Sequence, residues 1–291
     1  MLSDYLGLTE VARTFEVARQ VLGTDFSEIA QTGPAELMNR TTLTQPLLLT
    51  ACVAMYRQWA ALGGRRPDAF AGHSLGEYAA LVAAGALDFD DALDLIAYRA
   101  KVMDEATSKV KGSMAAVLGL APEAVVSALT DLQGQAEAVN FNSEAQTVIA
   151  GSLEGLEKAS SLLKSAGAKR VVPLAVSGPF HSSFMLSAQE KLASRIAAAR
   201  ISAPKVPVIQ NVTGQAVTDV SLLRENLIEQ VASPVQWVKT METLSTMGVT
   251  DIAECGPGKV LTGLAKRSMK DVRLHSFAEY ALMQKALEEL R

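Results

Sequence analysis

The sequence predicts an α/β fold: a large parallel-sheet domain, residues 1–111 plus 178–291, carrying a small inserted α+β domain at 112–177. Two observations carry this prediction. Short apolar runs alternate with helical periodicity at both ends of the chain. The middle stretch instead follows the order βαββαβ, the split βαβ or ferredoxin-like unit. No Gly/Ser-rich or Pro-rich linker and no internal repeat breaks the chain, so organisation has to be read from periodicity.

Residues 9–22 read as a helix, with Val11, Phe15, Ala18 and Leu22 on one stripe and Gly23 just past the end. A second helix is expected to start near Gln45-Pro46 and to stop before Gly63-Gly64. The apolar run 69–72 fits a short buried parallel strand, and helical sequence resumes at Leu75. Another helix runs from Asp88 to about Ser108, capped by Asp88 or Asp90. In the middle stretch, 114–120, 138–142, 146–150 and 170–176 read as strands. Residues 122–132, opened by Pro122-Glu123, and 153–166, closed by Gly167, read as helices. From there, helices are expected at 187–199, 220–231, 235–247 and 258–268, with strands at 206–211 and 251–254.

The composition excludes several classes of function. Lys and Arg number 27 against 31 Asp and Glu, a net charge of −4, and the pI is about 5.5. Bulk binding to nucleic acid or to an anionic membrane is therefore not expected. With 49% hydrophobic and 20% charged residues the chain is a packed globular one. No run of 18 apolar residues is present, and the first residues lack the basic and apolar regions of a secretory signal. Two cysteines, Cys52 and Cys255, make neither a disulfide scaffold nor a zinc site, and a reducing cytoplasm fits.

Gly72-His73-Ser74-Leu75-Gly76 is a GxSxG pentapeptide at a strand-to-helix turn. A serine there takes strained dihedrals and projects its hydroxyl clear of the sheet. The flanking glycines remove Cβ atoms that would collide as strand and helix close up. A plain glycine-rich turn has the same letters. A nucleophilic serine needs a base, and the chain holds three histidines. His73 adjoins the serine and should point away from Oγ. His275 lies in a strand-like stretch near the C-terminus and reads as an ordinary strand or surface residue. His181, in the loop 177–183 after the small domain's last strand, is the best partner by elimination, although loop histidines are commonly structural.

Arg99 is the third residue of interest. On the helix 90–106 it shares a face with Ala92, Leu95, Ile96 and Met103. A guanidinium in an apolar stripe must find an anion. An internal salt bridge or a snorkelling side chain would serve, and so would a substrate carboxylate gripped by the guanidinium fork.

These pieces together resemble the malonyl-CoA:acyl carrier protein transacylase family over essentially the whole chain. The matching segments are Thr44-Gln45-Pro46-Leu47, the pentapeptide with Glu77 and Tyr78, Arg99 with Met103, and Asn140-Phe141-Asn142-Ser143. Further matches are Gly178-Pro179-Phe180-His181-Ser182, residues 207–213, residues 233–237 and residues 254–261. The resemblance implies an α/β-hydrolase-like core with a ferredoxin-like insertion. It implies a malonyl-serine intermediate on Ser74, with His181 as base and no cofactor beyond the substrates, malonyl-CoA and phosphopantetheinylated acyl carrier protein. Arg99 would hold the malonyl carboxylate, the backbone N–H of Leu75 would be an oxyanion donor, and Phe180 would narrow the pocket against a 2-methyl branch. A main-chain carbonyl near Gln230 would orient the histidine in place of an acid. A monomer in cytoplasmic fatty acid biosynthesis, with neither nucleic acid nor membrane as partner, is the implied setting.

One departure stands against the matches. Family members open with an apolar strand and a Gly-Gln-rich loop that supplies a second oxyanion N–H, whereas Met1-Leu2-Ser3-Asp4 resembles the segment just after that loop. A late start or a truncation accounts for this, and an interrupted parallel sheet near Ser74 is then expected. The rival readings are a serine thioesterase or esterase, which would want an acid after the serine, and a catalytically impaired module that only binds carrier protein. An excised polyketide synthase acyltransferase domain would carry flanking linkers. Lys259, Lys266 and Arg267 are candidate contacts for an acidic carrier protein, or simply a solvated helix face.

Overall fold

Helix α1 (Thr9–Leu22) turns Val11, Phe15 and Ala18 inward and stops where Gly23 takes φ 68°. That left-handed conformation suits a residue without Cβ. The computed structural model describes residues 2–33, 40–132 and 134–290, without the side chain of Thr32. Met1, residues 34–39, residue 133 and Arg291 fall within the expected domain spans and lie outside the described residues. Helix α2 (Phe26–Thr32), which the periodicity did not announce, is started by the Asp25 carboxylate accepting from the N–H groups of Ser27 and Glu28. Helix α3 (Thr41–Ala61) begins four residues before the expected Gln45–Pro46 and carries Pro46 in its second turn. The missing N–H of Pro46 forfeits one intrahelical bond, which the packing of α3 against α1 outweighs.

The core of the large part is aliphatic. Helices α3, α4 (Gly76–Ala83), α5 (Phe89–Thr107), α8 (Leu186–Ala198) and α9 (Val220–Glu229) pool Leu47, Leu81, Ile96, Leu192 and Leu227 in one cluster. Strand β1 (Phe70–Ala71) runs parallel to β6 (Val208–Ile209), which pairs antiparallel with β7 (Ala216–Val217). Strands β8 (Asp251–Glu254) and β9 (Arg273–Ser276) form a separate parallel pair. Among the described residues the parallel strands thus fall into two separate pairs, β1 with β6 and β8 with β9. Helices α10 (Trp237–Thr246), α11 (Val260–Ser268) and α12 (Tyr280–Glu289) complete this part.

Between α5 and the loop before α8 stands a four-stranded antiparallel sheet. Its strands β2 (Gly112–Leu118), β3 (Ala136–Ser143), β4 (Gln146–Ser152) and β5 (Arg170–Pro173) lie in the order β3-β4-β2-β5. Alternation along β2 sorts its two faces. Ala115 and Val117 pack with Val125 of α6 (Pro122–Leu129) and with Ala159 and Leu163 of α7 (Leu153–Ser165). Met114 and Ala116 face the other way, beside Val139, Val148 and Phe180.

Several elements are shorter than the periodicity predicts, and at four of them local contacts mark the new end. The strand expected at 206–211 keeps only Val208–Ile209, since Gln210 N–H donates to Gln215 O in a tight turn. The helix expected at 235–247 begins at Trp237, because Val235 exchanges backbone bonds with Val139 and Phe141 of β3. The strand expected at 170–176 ends at Pro173, and after Leu174 N–H donates to Met114 O the chain turns off the sheet, with Val176 N–H donating to Leu174 O. The helix expected at 258–268 starts at Val260, where the Glu254 carboxylate accepts from the N–H groups of Leu261 and Thr262. Among the described residues no helix is long and apolar enough to cross a membrane.

Candidate active site

Ser74 occupies the turn between β1 and α4 with φ 52°. A left-handed non-glycine residue costs about 1–2 kcal/mol, which its surroundings must offset. The Ser74 N–H donates to Asn211 Oδ1 (2.6 Å), and its carbonyl accepts from Gln230 Nε2 (3.0 Å). Asn211 Nδ2 in turn donates to Gly72 O (2.6 Å). A Cβ on Gly72 would lie 2.0 Å from the backbone carbonyl of Gly76, so the strand–helix approach requires glycine there. Gly76 departs from the expectation: a Cβ built on it meets nothing within 4 Å, so only the first glycine of the pentapeptide relieves a collision.

His181 also has left-handed backbone, φ 62°, in the loop between β5 and α8. Its Nδ1–H donates to the main-chain carbonyl of Gln230 (2.9 Å). A carbonyl can only accept, so Nδ1 carries the proton and the lone pair of Nε2 faces Ser74 Oγ at 2.7 Å. Burial, with the nearby Arg99 guanidinium second, pulls the imidazolium pKa down to about 3, which leaves a neutral base. The other two histidines sit elsewhere. His73 bonds Asn142 Oδ1 (2.9 Å) and packs on Trp237, and burial depresses its pKa. His275 lies in β9 and bonds Asp251 (3.0 Å).

Arg99 is 1% exposed, which rules out snorkelling. Among the described residues it has no salt bridge either; the buried Glu77 carboxylate acts on its charge from beyond the Gln230 amide. Its Nη1 donates to Gln45 Oε1 (2.5 Å), and its Nη2 to Gln230 Oε1 (3.1 Å) and Ser74 Oγ (3.2 Å). Nε has no partner. An arginine held by neutral amide oxygens beside a serine–histidine pair has a guanidinium suited to receive an anion.

These groups open on one cavity of about 340 Å³ between the large part and the four-stranded sheet. Leu75, Phe180 and Met103 line it, and Met103 Sδ receives the Gln45 amide (3.6 Å). Leu75 stands at the head of α4, and among the described residues its N–H makes no backbone hydrogen bond. Gln230 lies just outside the cavity wall and touches Ser74, Arg99 and His181 at once. Lys259, Lys266 and Arg267 are not among the lining residues, and Lys259 pairs with Glu279 (3.3 Å).

Sequence reasoning singled out neither Glu77 nor Asn211. Glu77 is fully buried on α4, one residue past the pentapeptide, along the same face as Leu81. A carboxylate on a buried helix face is the same signal that marks Arg99. Asn211 gives no such signal, because its importance arises only where β6 ends beside the turn.

Residues 8–288 match the acyl transferase domain family. The malonyl CoA-acyl carrier protein transacylase of Escherichia coli K12 is 46% identical over 280 residues, spanning 96% of this chain and 91% of that protein. The Bacillus subtilis protein of the same name is 41% identical over 282 residues, 96% of this chain and 89% of its own. The acyl-carrier-protein S-malonyltransferase of Burkholderia pseudomallei 1710b superposes with a TM-score of 0.94 at 43% identity, covering 99% of this chain and 94% of that one. A malonyl-transacylase solved in complex with a type II polyketide synthase acyl carrier protein gives 0.96 at 42% identity, with the same coverage.

Proposed function

The chain belongs to the acyl transferase domain family, among the malonyl-CoA:acyl carrier protein transacylases, and on that premise we propose how its residues carry the transfer. The reaction moves malonyl from coenzyme A to the phosphopantetheine thiol of acyl carrier protein, a step of fatty acid biosynthesis. His181 Nε2 takes the proton of Ser74 Oγ as that oxygen attacks the thioester carbonyl. The oxyanion that develops is met by the Leu75 N–H at the start of α4. Collapse breaks the C–S bond, the imidazolium returns its proton to the departing thiolate, and free coenzyme A leaves malonyl-Ser74. The carrier-protein thiol then gives its proton to His181 and attacks the ester. Ser74 departs and recovers that proton.

Arg99 selects a diacid. Its Nη2 already donates to Ser74 Oγ, and a malonyl group esterified there brings its free carboxylate within reach of the unpaired charge. Phe180, beside His181 in the cavity wall, crowds the carbon between the two carbonyls. The chemistry uses side chains and main chain with no resident cofactor. The two free cysteines suit a reducing cytoplasm.

The observation that carries this reading is the meeting of His181 Nε2 (2.7 Å) and Arg99 Nη2 (3.2 Å) at Ser74 Oγ. The test is a quenched reaction with malonyl-CoA, analysed by peptide mass spectrometry, followed by a chase with phosphopantetheinylated carrier protein. Malonyl on Ser74 that moves to the carrier thiol is the expected result. Free malonate alone would mean a hydrolase, and no adduct at all would mean a module that binds without reacting.

A further inference from the structure

Among the described residues Glu77 is the one buried carboxylate beneath the Ser74 turn, and the transfer chemistry above makes no use of it. Its Oε1 accepts from Gln210 Nε2 (3.0 Å), and its Oε2 accepts from the Asn211 backbone N–H (2.9 Å) and from Gln230 Nε2 (3.0 Å). Every one of these partners donates. A carboxylate is acceptor-only, so it sets the direction of each amide that meets it. Gln210 must present its NH2 to Glu77, and its Oε1 then receives Asn226 Nδ2 (2.6 Å). Gln230 must do the same, and its Oε1 is thereby turned to Arg99 Nη2 (3.1 Å).

We propose that Glu77 is a positioning residue for substrate selection: its acceptor-only carboxylate fixes the polarity of the Gln230 amide, and that amide fixes the guanidinium of Arg99. The inference rests on the functional reading above. Were position 77 able to donate, the Gln230 amide could reverse. Its NH2 would then oppose the N–H groups of Arg99, donor against donor, and the guanidinium would lose one of the two amide oxygens that hold it. The Gln230 main-chain carbonyl serves His181 in either amide orientation, because the two ends of the residue are independent. A reversal would also take Nε2 from the Ser74 carbonyl (3.0 Å), but Asn211 still holds that turn through the Ser74 N–H, so the carboxylate receptor is disturbed more than the serine–histidine pair.

That asymmetry supplies the test. Wild type, E77Q and E77D are assayed at pH 8 with malonyl-CoA and with acetyl-CoA as donors, and circular dichroism and thermal unfolding report folding. E77Q keeps the shape and adds a donor. Its kcat/KM for malonyl-CoA should fall about ten- to hundredfold, mainly through KM, from one displaced charge-assisted hydrogen bond. Acylation by acetyl-CoA, which has no carboxylate to grip, should change less than about threefold. E77D retains an acceptor-only group and should keep the malonyl preference even if its melting temperature drops. Should E77Q not fold, E77D alone decides: a folded E77D that has lost the preference overturns the proposal. A parallel fall of both donors in E77Q, or no change in either, also overturns it. A wild type that prefers malonyl beside an E77Q that prefers it equally sinks this inference and leaves the functional reading standing. A wild type that never accepts malonyl sinks both.

Discussion

Arg99 donates to Ser74 Oγ from 3.2 Å, although the two residues stand 25 apart in sequence, one on α5 and the other in the turn before α4. The contact joins the charge proposed to select the substrate to the oxygen proposed to react. The guanidinium is held in its burial by the amide oxygens of Gln45 and Gln230.

Replacing Arg99 with alanine should cut kcat/KM for malonyl-CoA by about ten- to hundredfold or more, the worth of a charge-assisted contact made by a buried guanidinium. Acetyl-CoA should be affected far less, so the preference between the two donors collapses. Competition assays with both donors read this directly, and a surviving malonyl preference would remove the carboxylate receptor from the mechanism. Arg99→Lys should restore little, since an ammonium cannot span Gln45, Gln230 and the substrate together.

The pH dependence follows from His181. Its pKa is pulled from the ordinary histidine range down to about 3 by burial and by Arg99, so the base stays neutral through weakly acid solution. The acid limb of kcat/KM should therefore lie well below pH 6.5. For stability the sign is fixed by linkage: unfolded histidine binds a proton below about 6.5 and the native residue does not. The His181 contribution is complete above that pH and is lost as pH falls. Glu77 acts oppositely, because burial raises it to about 7 and its contribution is lost as pH rises from 4.5 towards that value. Comparing wild type with His181→Ala isolates the histidine. The variant should gain about 2 kcal/mol relative to wild type between pH 7 and pH 5, measured by denaturant unfolding.

The two glycines of the pentapeptide should respond differently. Gly72→Ala forces a Cβ into the backbone of Gly76, and a loss of about 3 kcal/mol or more, with loss of acyl-enzyme formation, is expected. Gly76→Ala enters open space at the start of α4 and should leave the melting temperature unchanged or slightly raised. Equal effects from the two would refute the close strand–helix approach.

Phe180→Ala should admit a 2-methylmalonyl donor. One methyl group against a pocket wall is worth about 1–3 kcal/mol, so the methylmalonyl-to-malonyl ratio of kcat/KM should rise about tenfold or more. An unchanged ratio would place the branch elsewhere in the cavity.

Much of this could be read along the chain because the signals are local. The stripe of Val11, Phe15 and Ala18 and the terminator Gly23 define α1, and the βαββαβ order defines the four-stranded sheet. Ser74 and Arg99 are legible for a related reason. One sits in a turn motif with a steric rationale, and the other is a charge on a helix face that must be buried. Helix α2 was not legible, because seven residues are too few to show a period. The early start of α3 was hidden by Pro46, which reads as a first-turn residue and sits instead in the second turn. The shortened element at 235–247 depended on a backbone bridge to β3 that no local pattern announces.

By itself the sequence determined the α/β class and singled out Ser74, His181 by elimination, and Arg99, since periodicity and residue chemistry act over a few positions. Only the tertiary structure decided what those groups do to each other. The tautomer of His181 comes from the carbonyl of Gln230, 49 residues away. The strained backbone of Ser74 is braced by Asn211 and Gln230, and Arg99 is left without a carboxylate partner. Hydrogen-bond direction is a property of pairs, and these pairs exist only once distant segments share a water-poor interior where an unmatched donor or acceptor is costly.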